Sequence, residues 1–218
     1  VTPAAVIFDC DGLLVDTESA WTRAEEALYA RYGETFTLQH KRELLGQSGP
    51  VAWVTIERHL NLPDAGERLE DELRELVTVE IERSAPAMPG TTELVAALRA
   101  AGTPIGLASN SPRFLVDLSL QGAGFSDVFA TIVTADDVAH GKPSPDVYLE
   151  AARRLGADPT ATVALEDSPT GVTAAKAAGM FVIGVPGVEG IDLSAADLVV
   201  PSLRDSAVRD AVGLRLAA

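Results

Sequence analysis

From Pro89 onward, short apolar runs alternate with stretches whose apolar residues recur at helical spacing. The runs are "PIGLA" at 104–108, "VFATIV" at 128–133, "TVALE" at 162–166, "FVIGV" at 181–185 and "DLVV" at 197–200, and "AVIFD" near the start joins them. This rhythm is the signature of βα units around a parallel sheet, because parallel neighbours need a crossover and a helix is the usual one. It predicts an α/β, Rossmann-like core of about six strands.

Residues 16–87 break the rhythm with Leu, Ala, Glu and Arg at helical spacing and no convincing β run. "TRAEEALYARYG" carries Ala24, Ala27, Leu28 and Tyr32 along one stripe and ends at Gly33, as a helix C-cap would. A second long helix is expected over 64–83, with Leu69, Leu73, Leu76 and Val79 on one face. The predicted organisation is a core of 1–15 and 88–218 and an inserted helical cap domain over 16–87, closed by the Pro-rich hinge "APAMPG" at 85–90.

A chain of 218 residues fits one domain, or one domain with an insertion. Its net charge of −15 excludes a broad nucleic-acid footprint, which needs clustered Lys and Arg. No stretch approaches the roughly 20 apolar residues of a membrane span, and the start lacks a signal peptide's basic flank. No membrane partner and a cytoplasmic setting are expected. The single cysteine, Cys10, excludes an internal disulfide and should point into a packed face.

Asp9 and Asp11 end the first apolar run. Side chains two apart on an extended segment point the same way, so the pair repels unless a cation or a shared proton intervenes. Further polar residues gather at strand carboxyl ends, where open α/β sheets bind ligands: Ser109, Asn110, Glu166 and Asp167, with Lys142 in a loop that can reach them. Such carboxylates suit a hard cation such as Mg²⁺. The three histidines, His40, His59 and His140, are scattered along the sequence and offer no zinc site. Three helix starts, in "SNSPR", "KPSPD" and "EDSPTG", place Ser at the N-cap and Pro at the first helical position.

In order and spacing, "DCDGLLVDTE", "LASNS", "GKPSPD" and "LEDSPTG" resemble the four motifs of the haloacid dehalogenase superfamily, in its branch with a helical cap after the first motif. The resemblance implies Asp9 as a nucleophile forming an aspartyl-phosphate and Asp11 as general acid/base. It implies Mg²⁺ held by Asp9, the Asp11 carbonyl and Asp167 with Glu166 nearby, and phosphate bound by Gly12, Ser109, Asn110 and Lys142. From the cap, Glu18, Trp21, Gln47 and Ser48 would line the substrate side.

Within that family, Asp11 and the acidic pair Glu166–Asp167 speak against a dehalogenase. Lys41 is the only cap lysine and precedes the cap loop, which speaks against a phosphonoacetaldehyde hydrolase; it reads as an exposed helix residue. The cap loop "LLGQSG" resembles that of β-phosphoglucomutases, yet Trp21, Leu45 and Gly49 stand where a mutase would grip a second phosphate. The implied activity is a Mg²⁺-dependent phosphatase acting on a small phosphorylated metabolite, a sugar phosphate or a phosphoglycolate-like compound, with a phosphomutase as the alternative.

Overall fold

The structure is a computed structural model that describes residues 2–44, 50–187 and 190–214. The chain divides into two compact units, one formed by Val1–Asp16 with Pro86–Ala218 and the other by Thr17–Ala85.

The first unit holds a six-stranded parallel sheet: β1 (Ala5–Phe8), β2 (Ile105–Ala108), β3 (Thr131–Val133), β4 (Thr162–Glu166), β5 (Phe181–Gly184) and β6 (Leu198–Val199), in the order β3-β2-β1-β4-β5-β6. Every residue of β1, β2 and β4 is buried, which is why these strands read as unbroken apolar runs without polar alternation. The run at 128–133 gives only a three-residue strand. Its Phe129 instead meets Phe8 edge-on, with ring centroids 5.8 Å apart. After β1 the chain builds one side of the sheet and then crosses to the other, so the switch point lies at the carboxyl ends of β1 and β4.

The second unit holds α1 (Glu18–Arg31), α2 (Leu38–Leu44), α3 (Pro50–Leu60) and α4 (Gly66–Arg83). α1 stops as its sequence predicts, with Gly33 in the left-handed region at φ +78°. On α4 the buried stripe is Leu69, Leu73, Val77 and Ile81, while Val79 is 57% exposed. The expected face therefore needs correcting. A strict four-residue step follows one ridge of the helix, and that ridge packs on α1, whose inward residues Ala20 and Ala24 are small.

One further correction falls in this unit. Lys41 is not a free surface residue: its Nζ reaches Glu25 at 3.0 Å and Glu18 at 3.3 Å. His40 and His59 are distant in sequence, yet their rings stack at 4.5 Å, and His59 Nδ1 lies 2.7 Å from the Tyr29 hydroxyl.

Glu25 is buried, and burial pushes its carboxyl above the usual range, with Lys41 opposing but not cancelling the effect. A carboxyl raised in the folded state contributes stability that is full below the unfolded value and is lost as pH rises through the folded one. Glu25→Gln is accordingly expected to match the parent in denaturant unfolding near pH 4.5 and to exceed it by up to about 1 kcal/mol at pH 7.5. A variant weaker than the parent at pH 7.5 would mean that the Lys41 pairing outweighs the burial.

The helices of the first unit are α5 (Thr91–Ala100), α6 (Arg113–Gly122), α7 (Asp146–Leu155), α8 (Pro169–Ala177) and α9 (Ser206–Ala211). Val147, Tyr148, Ala151 and Ala152 of α7 share a fully buried cluster with Ile7 of β1, Val133 of β3 and Ala164 of β4. That packing fixes α7 beneath the strand ends. The segment expected as a hinge at 85–90 is hydrogen-bonded to the end of the first motif: the Asp16 N–H donates to Pro86 O and the Met88 N–H to Leu14 O, both at 2.9 Å. Among the described residues, no helix is long and apolar enough to cross a membrane.

Candidate active site

β1 runs straight into Asp9, whose N–H donates to Leu165 O of β4 at 3.0 Å. The chain then folds back on itself, with the Leu14 and Val15 N–H groups both on Cys10 O at 3.0 Å and the Gly12 N–H on Val15 O at 2.9 Å. Cys10 is buried as alternation predicts, and burial pushes its thiol well up. Gly12 has φ +80°, and a β-carbon there would overlap the Asp167 carboxylate. Its amide is committed within the turn, so what Gly12 supplies is room for the end of β4 to approach the end of β1.

Lys142 joins these two strand ends. Its side chain is 5% exposed, and its ammonium donates to Asp9 Oδ1 and, at 2.6 Å, to Glu166 Oε1. Burial alone would lower the Lys142 pKa, but Asp9 and Glu166 hold it well above its usual value. The Tyr148 hydroxyl donates to the same Glu166 oxygen at 2.6 Å, and the Lys142 ammonium lies 5.0 Å from the centre of the Tyr148 ring. The other oxygen, Glu166 Oε2, accepts from the Asp167 N–H at 3.1 Å, the Ser168 N–H at 3.3 Å and the Ser168 hydroxyl at 3.2 Å. Both Glu166 oxygens are thus engaged. A β-carbon on Gly171 would overlap this carboxylate, so α8 can start here only with a bare residue.

Asp9, Glu166 and Asp167 bring one carboxylate oxygen each within 4.8 Å of one another. Burial pushes the Asp9 carboxyl up to about 8, with Lys142 pulling down and Glu166 and Asp11 pushing up. Burial, then Asp9 and Glu166, likewise hold Asp167 well above the usual carboxylate range. Three carboxylates face one ammonium, so the all-oxygen donor set is short of positive charge and fits a hard divalent cation.

Asp11 turns its Oδ2 toward the end of β2, where it accepts from the Ser109 hydroxyl at 3.1 Å and the Ser111 hydroxyl at 2.8 Å. Asn110, expected to contact phosphate, clasps the Lys142 peptide instead: its Oδ1 accepts the Lys142 N–H at 2.7 Å and its Nδ2 donates to Lys142 O at 3.1 Å. A β-carbon on Gly141 would crowd this clasp. The residues "SN" and "GK" are therefore two halves of one joint.

The shared Ser-Pro helix start holds in one case of three. Ser168 accepts from the Gly171 N–H at 3.1 Å, with Pro169 opening α8. At α6, the Arg113 N–H goes to Asp136 Oδ2 at 2.8 Å while Ser111 turns to Asp11. At α7, Ser144 donates to Asp146 Oδ1 at 2.6 Å. In these two cases the proline itself stands at the N-cap, Pro112 for α6 and Pro145 for α7, which leaves the serine one place outside the helix.

Of the residues expected from the helical insertion, Glu18 pairs with Lys41 and Trp21 is half-buried in α1. Gln47 and Ser48, like Leu45 and Gly49, lie outside the described residues. Sequence reading missed Ser111 as a contact of Asp11, and it missed Tyr148 altogether. Tyr148 reads as one more apolar position of α7, and only its hydroxyl distinguishes it.

The chain is 34% identical over 217 residues to hexitol phosphatase B of Escherichia coli (strain K12), covering 96% of each. It is 33% identical over 205 residues to the bifunctional riboflavin kinase/FMN phosphatase of Arabidopsis thaliana, and spans 93% of its own length but only 54% of that protein. The crystal structure of β-phosphoglucomutase from Clostridium difficile superposes with a TM-score of 0.76 at 25% identity, covering 97% of this chain and 98% of that one. The model of the haloacid dehalogenase-like hydrolases matches residues 3–179, a span that runs from before β1 to beyond α8 and holds every contact of the strand-end cluster. The chain belongs to the haloacid dehalogenase-like hydrolase family.

Proposed function

We propose that the protein is a Mg²⁺-dependent phosphatase that hydrolyses a small phosphorylated metabolite through Asp9. The observation that carries this reading is the position of Asp9, buried at the end of β1 against Lys142, with a second carboxyl two residues on. A carboxylate oxygen of Asp9 attacks phosphorus, the bond to the leaving oxygen breaks, and that oxygen takes its electron pair and a proton from Asp11. Water then gives a proton to Asp11 and attacks phosphorus, and the Asp9–phosphorus bond breaks to release phosphate. Neither enzyme carboxyl is consumed.

Lys142 has three N–H donors; two meet Asp9 and Glu166, which leaves one for a phosphoryl oxygen. The Ser109 hydroxyl stands at the same strand end. Asn110 holds the Lys142 backbone, and Glu166 and Tyr148 hold its ammonium, so the charge is positioned before substrate arrives. Asp9, Asp167 and the Asp11 carbonyl would hold Mg²⁺, with Glu166 nearby, and its charge would offset the local excess of carboxylate so that an anionic phosphate is accepted.

A mutase reading has in its favour the cap loop "LLGQSG" and the likeness to a β-phosphoglucomutase. The two readings differ in whether water or a sugar hydroxyl takes the phosphoryl group. Phosphate release from sugar and hexitol phosphates, phosphoglycolate and FMN, with Mg²⁺ or with EDTA, tests them. Release that needs Mg²⁺ is the expected result. No release, with bisphosphate-activated conversion of β-glucose 1-phosphate in its place, would overturn the phosphatase reading in favour of the mutase.

A further inference from the structure

We propose that Ser111 is the positioning residue of the general acid, clamping Asp11 so that one chosen oxygen exchanges the proton with the leaving group; this rests on the phosphatase reading. Three contacts point to it. The Ser111 hydroxyl donates to Asp11 Oδ2 at 2.8 Å. The Ser111 N–H donates to Ser109 Oγ at 2.9 Å, which fixes the Ser109 lone pair and turns its proton onto the same Oδ2, at 3.1 Å. Among the described residues, Asp11 Oδ1 takes no hydrogen bond.

The two carboxyl oxygens are thereby made unequal. Oδ2 is filled by two donors, and a half-turn of the carboxyl would break both bonds at once. Oδ1 stays open, so it is the oxygen that carries the proton. Ser111 is free for this role because its place at the start of α6 is taken by another residue: Asp136 accepts the Arg113 N–H. A serine before proline is ordinarily a helix cap, and here the neighbouring loop has released it from capping. Ser109 is also placed to meet an arriving phosphoryl oxygen, in which case Ser111 is the partner that keeps hold of Asp11.

A poor leaving group needs its proton, whereas a good one departs without it. Ser111→Ala is therefore expected to lower kcat/KM for an alkyl phosphate such as glycerol 3-phosphate or a hexitol phosphate by about 10- to 100-fold, and for p-nitrophenyl phosphate by less than about 3-fold. Because kcat/KM reports steps only as far as aspartyl-phosphate formation, later hydrolysis does not mask the difference. Ser111→Thr keeps the hydroxyl and is expected to restore the alkyl phosphate reaction to within about 3-fold of the parent. Placing Ser111→Ala on Asp11→Asn should add almost nothing, since the clamp then has no acid to hold.

Equal losses on both substrates would make Ser111 a phosphate-binding or merely structural residue, and no loss on either would remove it from the mechanism. Should the alanine variant not fold, Ser111→Cys, a weak donor of similar size, is expected to show the same selective loss. A parent protein that releases phosphate from neither substrate fails the phosphatase reading itself. A parent that works with an indifferent Ser111→Ala fails only this one.

Discussion

Asp9→Asn is expected to leave the protein folded and to lower phosphate release by about a thousandfold or more. The amide has the shape of the carboxylate but no nucleophilic oxygen, so the covalent step is lost while the backbone bond from residue 9 to Leu165 stays in place. Stability gives the control. Burial already pushes the Asp9 carboxyl up to about 8, so the native charge there is costly without a cation, and a neutral amide removes that cost. Lys142 keeps Glu166 as its counter-ion. The thermal midpoint measured in EDTA should therefore not fall. A variant that melts like the parent and retains a tenth of its turnover would exclude Asp9 as the nucleophile.

The sheet was legible from sequence because burial on both faces leaves a mark: β1, β2 and β4 are unbroken apolar runs, and the polar residues that follow them stand at strand ends by construction. Asp9, Ser109, Glu166 and Asp167 could be found that way, and Lys142 because lysine is scarce in this chain. What one-dimensional patterns do not carry is competition between partners. Ser111 has the residue type and spacing of a helix cap, yet its hydroxyl goes to Asp11, a hundred residues away, which a local rule does not see. The stacking of His40 on His59 and the choice of Val77 and Ile81 over Leu76 and Val79 are settled by which helix lies opposite. Gly171 reads as an ordinary helix residue until Glu166 occupies the space that its missing side chain leaves open.

Removing the Lys142 cation at the strand ends should have the largest effect on stability. Lys142→Met keeps the length and apolar body of the side chain and deletes only the ammonium. Two carboxylates then lose their partner, but not equally. Burial holds the Asp9 carboxyl up at about 8 even with Lys142 in place, so without metal Asp9 is mostly protonated at pH 7 before and after the substitution. Glu166 is fully buried, with the Lys142 ammonium on its Oε1 and the Asp167 and Ser168 donors on its Oε2. Breaking this buried pair by removing one partner is expected to cost about 3–5 kcal/mol in denaturant unfolding without metal. Adding Glu166→Gln should recover much of that loss, because the amide oxygen can keep the Asp167 and Ser168 donors while its NH₂ faces the Tyr148 oxygen. Turnover should stay absent in both variants, since neither holds a positive charge for the phosphoryl oxygens. If the single substitution leaves stability unchanged, the buried Lys142–Glu166 pair does not support the fold. If the double variant regains turnover along with stability, Lys142 serves the fold and not the substrate. Absent turnover in the single variant together with stability regained in the double variant assigns the same ammonium both tasks.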